Sequence, residues 1–376
     1  MHTYRNLWEK LVSDENIYLA LKLAKKSKRF KERAREDYEK YYTDEKTRKR
    51  VRNYVETNLN IKHDPNVIVE GAKRKVRIII APTYSELIAR QAMVNILQPI
   101  IMKGMYQHSF ACIPKRGTDK ARKVVEKWIR KDPRGTKYCL LIDIHKFFDS
   151  IDHDVMFNRI NKTIKDPKIL ERCKSNLDII DKGLPLGFPD SHWLANWLLQ
   201  DLDHKIKEKL KAKYYARYND DMLIFDPNKK KLHYIATIVG AELAKMSLYF
   251  NPKWQIFRVI HETKGGEKGR VPDYVGFKFF RNRTILRRTT YYKACRKAKK
   301  IGKKITKGIK PTLYEYKQLL SLLGRFKQTN TYIAFQERIK LYVDIHKIRK
   351  RISRHDRREN RERNNYVGES TVFYYA

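Results

Sequence analysis

The sequence predicts an α+β fold, a core sheet of short strands with helices on one face. Three observations carry that expectation. Short apolar runs alternate with amphipathic stretches in the order β-α-β(hairpin)-α-β. Two strand-like runs between Tyr215 and Phe225 flank Asn219-Asp220, a dipeptide suited to the φ > 0 positions of a tight hairpin turn. And 376 residues suffice for two or three subdomains with a sizeable core.

In chain order, residues 5–40 read as helical, with Leu7, Leu11, Ile17, Leu19 and Leu21 ahead of a basic run from Lys25 to Lys31. Residues 41–62 are mostly polar and charged. A strand pair comes next, Val67 to Glu70 and Val76 to Ala81, joined across Gly71-Ala72-Lys73-Arg74. Helices are expected around 84–103 and 117–131, separated by an irregular segment from His108 to Thr118. Tyr138 to Ile144 is an apolar run of buried-strand length that contains Asp143. Asp154 is placed to cap a helix starting at Val155. Gly and Pro punctuate a loop from Gly183 to Ser191. Leu194, Leu198, Leu202, Ile206 and Leu210 then mark one helix at i+4 spacing. Leu232, Ile235, Val239, Leu243 and Met246 mark another. Short strands around Tyr249–Phe250, Gln255–Val259 and Tyr274–Phe279 precede a basic helical region from residue 290. The tail after about 351 is expected to be mobile.

Charge narrows the partners. The 84 basic and 42 acidic residues leave +42, and such self-repulsion costs stability unless a polyanion is present. Nucleic acid is the favoured partner, with salt-sensitive binding, and Tyr among Lys and Arg offers stacking faces. A membrane surface is the rival polyanion, but no apolar stretch is long enough to span a bilayer and no secretory signal opens the chain. The scattered Cys112, Cys139, Cys173 and Cys295 support neither a zinc site nor a disulfide framework and fit a reducing cytoplasm.

The chemistry is expected at three carboxylates. Asp220 and Asp221 repel one another, so a hard cation such as Mg²⁺ suits them, although Asn-Asp-Asp also reads as a plain polar turn. Asp143 closes a buried strand. If that strand pairs beside the hairpin, the three converge into a two-metal site, with ions about 3.5–4 Å apart that clamp attacking and leaving oxygens.

The segments I-D-I-H-K-F-F-D-S-I-D-H (142–153), G-L-P-L-G-F-P-D-S-H (183–192), R-Y-N-D-D (217–221), N-P-K-W-Q-I (251–256) and Y-V-G-F (274–277), in that order, resemble a reverse transcriptase. The resemblance covers residues from about 5 to about 345 and implies a right-hand polymerase fold of fingers, palm and helical thumb. Mapped onto this chain, it places an N-terminal extension and fingers at 1–135 and a palm at 136–285, with finger helices inserted around 155–182. A thumb is placed at 286–350 and a basic tail at 351–376. It implies catalytic Asp143, Asp220 and Asp221, and a metal set of these with Ile144, holding two Mg²⁺ ions with Mn²⁺ as the alternative. Phe148 matches the residue that closes on the nucleotide's 2′ carbon and selects deoxynucleotides, with an ordinary core Phe as the competing reading. Lys75 and Arg77 match cations that grip the triphosphate, and Leu186, Gly187 and Ser191 belong to the nucleotide pocket. Lys253 lies where polymerases often place a Lys near pyrophosphate, or is a surface Lys before a core Trp254. Tyr274–Phe277 resembles a primer-grip turn, with Gly276 allowing close backbone approach. Residues 291–360 hold 21 Lys and Arg against 5 Asp and Glu, which favours phosphate contact along a duplex.

An apolar residue at position 186 followed by G-x-x-x-S-Q typifies the enzymes of diversity-generating retroelements, where many other family members carry Gln at 186. The opening Y-R-N-L-W-E-K-L-V-S-D-E-N-I and the segment F-A-C-I-P-K-R-G-T resemble that group too, whereas His192 stands where it has Gln. This implies low-fidelity copying of a template-repeat RNA into cDNA from a DNA primer and dNTPs, with a small basic accessory protein. A defence-associated enzyme using a noncoding RNA is the close alternative, and an inactive RNA-binding scaffold the more distant one. The retron signatures N-A-x-x-H and V-T-G are absent. With under a hundred thumb-like residues after Phe277, no endonuclease, integrase or RNase H domain is expected in this sequence.

Overall fold

The structure, a computed structural model, describes residues 3–26, 29–57, 66–70 and 75–372. It divides into two compact units, Met1–Ala121 with Arg134–Arg258, and Arg122–Pro133 with Val259–Ala376.

The first unit is built on a four-stranded antiparallel sheet. Its six strands in chain order are β1 (Asn66–Glu70), β2 (Lys75–Ile79), β3 (Tyr138–Ile142), β4 (Tyr214–Tyr218), β5 (Asp221–Asp226) and β6 (Gln255–Arg258). The last four form the sheet in the order β4-β5-β3-β6, while β1 and β2 pair separately. Alternate residues of a strand face opposite sides, yet β5 is buried from Met222 through Asp226, so both faces of the sheet are covered. The helix Lys229–Ala244 covers one of them, burying Leu232, Ile235, Val239 and Leu243 against β3, β5 and β6. Asn228 caps it, its side chain accepting from the Lys230 and Lys231 amides.

Several elements differ from the sequence expectation. Residues 5–40 break into Trp8–Leu11, Asp14–Ala24 and Lys31–Lys40, the second started by the Ser13 cap. A further helix, Glu45–Glu56, hides in the polar stretch, because only Thr47, Val51 and Val55 at helical spacing are buried among its charges. Asp152, not Asp154, caps His153–Asn161, its carboxylate accepting from the Val155 amide at 3.0 Å. The i+4 stripe is not one regular helix. Four residues overshoot a 3.6-residue turn by about 40° per step, so a straight helix would carry the stripe off its face. The chain resolves this by breaking at Leu199 and widening into a π-turn over Lys205–Lys209.

In the second unit, strands Asp273–Tyr274, Phe277–Phe279 and Thr284–Leu286 pair among themselves as an antiparallel sheet. Val259 bridges to Arg270 and the Ile260 amide donates to the Arg270 carbonyl, so the residues just past β6 pack with the second unit. The boundary between the two compact units therefore falls near 258. Helices Arg288–Thr306, Leu313–Leu323, Tyr332–Arg338 and Ile345–Val372 complete the unit. The last runs unbroken through 351, so the described part of the expected mobile tail is helical. Ile348 is buried on it, its first half packs on Leu313–Leu323, and Lys317 pairs with Asp356 at 3.0 Å.

Candidate active site

The hairpin between β4 and β5 closes with Tyr218 opposite Asp221, leaving Asn219 and Asp220 as a two-residue turn. Only Asn219 of these takes the left-handed conformation, at φ 54°. Ile142 of β3 pairs with Met222 of β5, so the next residues in antiparallel register are Asp143 and Asp221. Two aspartates thus sit side by side at the ends of the two central strands, with Asp220 in the adjoining turn.

What holds that turn is a buried ion pair. Arg217 of β4 points inward and is fully buried with Asp203. Its Nη2 meets one Asp203 oxygen at 2.6 Å and its Nε the other at 2.7 Å, the bidentate fork that guanidinium geometry favours. Its Nη1 donates to the Asn196 side-chain oxygen and to the Asn219 carbonyl, each at 3.0 Å. Tyr215 adds its hydroxyl to Asp203 at 2.5 Å, and burial first, with the nearby carboxylate second, pushes that phenol well above its ordinary pKa. Asn196 donates onward to the Ala111 and His192 carbonyls. The network ties the turn to the helix Ser191–Leu198. Sequence reading missed it; the available signal was a lone Arg inside an apolar strand run, which burial obliges to be paired.

Asp143 is likewise oriented by a partner not anticipated. Asn251 donates its side-chain amide to Asp143 Oδ2 at 2.8 Å and its backbone N–H to the Asp143 carbonyl at 2.7 Å. Ile144 bridges to Phe250, which fixes the chain just past Asp143. Lys253 is exposed in the adjoining turn, its amide donating to Asn251 Oδ1 at 3.3 Å. Trp254, expected in the core, is instead 37% exposed and packs on Phe250.

The loop 183–192 is clamped at both ends. A Cβ on Gly183 would lie 2.6 Å from the Phe148 carbonyl, and one on Gly187 2.3 Å from the Ile80 carbonyl, each at positive φ. Both positions therefore demand glycine. The Ile80 amide donates to the Leu186 carbonyl, so the loop runs along the chain end of β2 with Leu186 half-buried. Ser191, expected in the nucleotide pocket, is buried and its hydroxyl donates to the Pro185 carbonyl at 2.6 Å. It shapes the loop. Arg90 and Asp190, a second buried pair at 2.6 Å, anchor the loop to the helix Tyr84–Lys103, with the guanidinium also over Phe188. Removing one member of a buried pair strands the other charge, at about 3–5 kcal/mol. Arg90→Ala is expected to lower unfolding stability by that amount in urea titration; a loss under about 1 kcal/mol would contradict the anchoring role.

Phe148 lies in the short helix Phe147–Ser150, entered through Lys146 at φ 43°. Its ring meets Phe147 and, edge-on, His192. Lys75 and Arg77 are on β2, opposite Glu70 and Ile68, but their side chains lie outside the described residues, as do Lys73 and Arg74 altogether. In the second unit, Val275 (φ 47°) and Gly276 (φ 90°) form the two-residue turn between Tyr274 and Phe277. A β-branched residue in that conformation is strained. Arg296, Lys299, Lys300, Lys303, Lys304 and Lys307 line a groove of about 460 Å³ along one helix, a surface suited to phosphates.

Among the described residues no three His, Cys, Asp or Glu side chains are gathered closely enough to hold a metal ion by themselves. The tight convergence expected from sequence is therefore not present as a closed cage. The donors still suit Mg²⁺, which is bound through one or two carboxylates together with substrate phosphates rather than by all-protein cages. Asp143 and Asp221 on adjacent strands, with Asp220 in the turn, are such an open set.

A family model described as reverse transcriptase (RNA-dependent DNA polymerase) matches residues 62–279. A retron Ec73 reverse transcriptase of Escherichia coli is 36% identical over a stretch covering 23% of this chain and 32% of that protein. Nuclear intron maturase 1, mitochondrial, of Arabidopsis thaliana is 27% identical over 34% of this chain and 18% of that protein. The chain thus spans a third or less of the length of these relatives. Among solved structures, telomerase of Candida tropicalis with a fragment of telomeric RNA aligns at TM-score 0.44 and 12% identity, over 73% of this chain and 54% of that one. No helix among the described residues is long and apolar enough to cross a membrane.

Proposed function

The chain belongs to the reverse transcriptase family, and from that membership we propose that it is an RNA-directed DNA polymerase that extends a DNA primer on an RNA template with dNTPs. The observation that carries the reading is the register that sets Asp143 beside Asp221 at the ends of β3 and β5, with Asp220 in the turn.

Bound divalent cations, two Mg²⁺ or Mn²⁺, would neutralise phosphate charge and lower the pKa of the attacking hydroxyl. The chain's own residues position. Asn251 orients Asp143, and Arg217 fixes the turn through the Asn219 carbonyl. Phe148 closes on the sugar, where a ribose hydroxyl would meet its ring. Lys75, Arg77 and Lys253 offer cations to the triphosphate, and Leu186 and Gly187 line the nucleotide pocket. The basic groove of the second unit takes duplex phosphates.

Within the family, Leu186 supports the diversity-generating retroelement reading, with a template-repeat RNA, a small basic accessory protein, a cytoplasmic location and low fidelity. A pocket without a hydrogen-bonding partner discriminates less, because selectivity arises where mispairing leaves polar groups unmatched. Leu186→Gln is expected to reduce misincorporation about tenfold in primer extension, of the order that one polar contact commands. Unchanged error spectra would refute the low-fidelity reading. His192 departs from the Gln of that group, and the second reading is an antiphage-defence enzyme acting with a noncoding RNA. Neighbouring genes separate the two: a variable-protein gene with a matching repeat supports the first, a structured noncoding RNA alone the second.

A further inference from the structure

We propose that His192 is a positioning residue for the sugar gate: its ring, set against Phe148, holds the Phe148 ring where it excludes a ribose 2′-hydroxyl. The inference rests on the polymerase reading and on Phe148 as the gate. The His192 and Phe148 ring centroids are 5.1 Å apart with planes at 80°, an edge-to-face pair. Phe147 meets Phe148 at 5.5 Å and 66°. Phe148 thus sits between two rings from different segments, one its sequence neighbour and one from the helix Ser191–Leu198.

The backbone on each side of this contact is fixed. The Leu184 amide donates to the Phe148 carbonyl at 2.8 Å, and Gly183 approaches that carbonyl too closely for any side chain. On the other side, Asn196 donates to the His192 carbonyl at 3.0 Å, and the adjoining Ser191 hydroxyl bonds Pro185. Asn196 also accepts from Arg217, so the helix presenting His192 is the one that braces the catalytic turn.

His192 Nδ1 is buried and has no hydrogen-bond partner among the described residues. An unmatched buried polar atom costs free energy, so this nitrogen does not account for the residue, whereas the ring contact with Phe148 gives it a use. Burial also lowers its pKa, which keeps the ring uncharged against Phe148 at neutral pH.

The test compares kcat/KM for matched dNTP and rNTP incorporation in the wild-type chain, Phe148→Ala, His192→Ala, His192→Leu, His192→Phe and the Phe148→Ala/His192→Ala double variant. His192→Ala and His192→Leu are expected to lower the dNTP preference by about 2- to 10-fold, the strength of one edge-to-face aromatic pair, through rNTP use with dNTP kcat retained. His192→Phe, which restores a ring and removes the unmatched nitrogen, is expected to restore the preference. The double variant should discriminate no worse than Phe148→Ala alone. A preference unchanged in His192→Ala and His192→Leu but lost in Phe148→Ala would overturn the proposal, as would failure of His192→Phe to rescue. An unchanged preference in Phe148→Ala would remove the gate itself, and absence of incorporation by the wild-type chain would remove the polymerase reading.

Discussion

Replacing Asp220 by alanine is expected to abolish nucleotide incorporation while leaving RNA binding intact. The turn that carries Asp220 is held by backbone pairing of Tyr218 with Asp221 and by the Arg217 bond to the Asn219 carbonyl, neither of which involves the Asp220 carboxylate. The substitution leaves those two restraints in place and takes a carboxylate from the turn. Electrostatic stabilisation of a transferring phosphoryl group is worth more than any other single contribution, and loss of one such group costs about 10²–10³ in rate. Loss of a carboxylate from an open set that supplies few protein donors is expected at or beyond the upper end, at least about 10³-fold. RNA affinity tracks the chain's +42 charge and its basic helices, and should change less than about twofold at fixed salt. Incorporation within about tenfold of wild type would mean that Asp220 is not part of the catalytic set.

The second large effect is expected at Asp203, the buried partner of Arg217. Asp203→Ala leaves the Arg217 guanidinium buried without its bidentate partner, at a cost of about 3–5 kcal/mol. It also releases Tyr215, whose hydroxyl bonds the same carboxylate. Activity should fall with stability, so a paired variant separates the two. Asp203→Leu with Arg217→Met removes both charges, and apolar replacement of a buried pair is often neutral in stability. That double variant is expected to melt near the wild type yet to remain impaired by about 10²-fold, because the Asn219 carbonyl has lost its donor and a shift of about 1 Å at the site costs that much. Full activity in the stable double variant would show that Arg217 serves the fold alone.

These two residues mark the limit of what the chain discloses before it is folded. The strands around Asp143 and the hairpin were legible because apolar runs, turn chemistry and carboxylate placement agreed with one another. The helix Tyr84–Lys103 was legible because Thr83 and Glu86 form a capping box at its start. Arg217, Asp203 and Asn196 were not, since their meeting depends on how β4 packs against the segment 196–203. The Ser191 hydroxyl bond to the Pro185 carbonyl was hidden for a related reason, since it depends on how the loop folds back on itself. The helix Glu45–Glu56 and the continuation of the C-terminal helix past 351 were hidden by charge density, which reads as solvated chain although a few buried contacts suffice to order it.

The most direct measurement is primer extension by the purified wild-type chain on a defined RNA template with a DNA primer, dNTPs and Mg²⁺, with Asp220→Ala and a chelator as controls. The account predicts full-length cDNA that requires the RNA template and is lost in both controls, while RNA binding persists in the variant. RNA binding by the wild-type chain without any primer extension, in Mg²⁺ or in Mn²⁺, would contradict it and leave an RNA-binding scaffold with a polymerase fold.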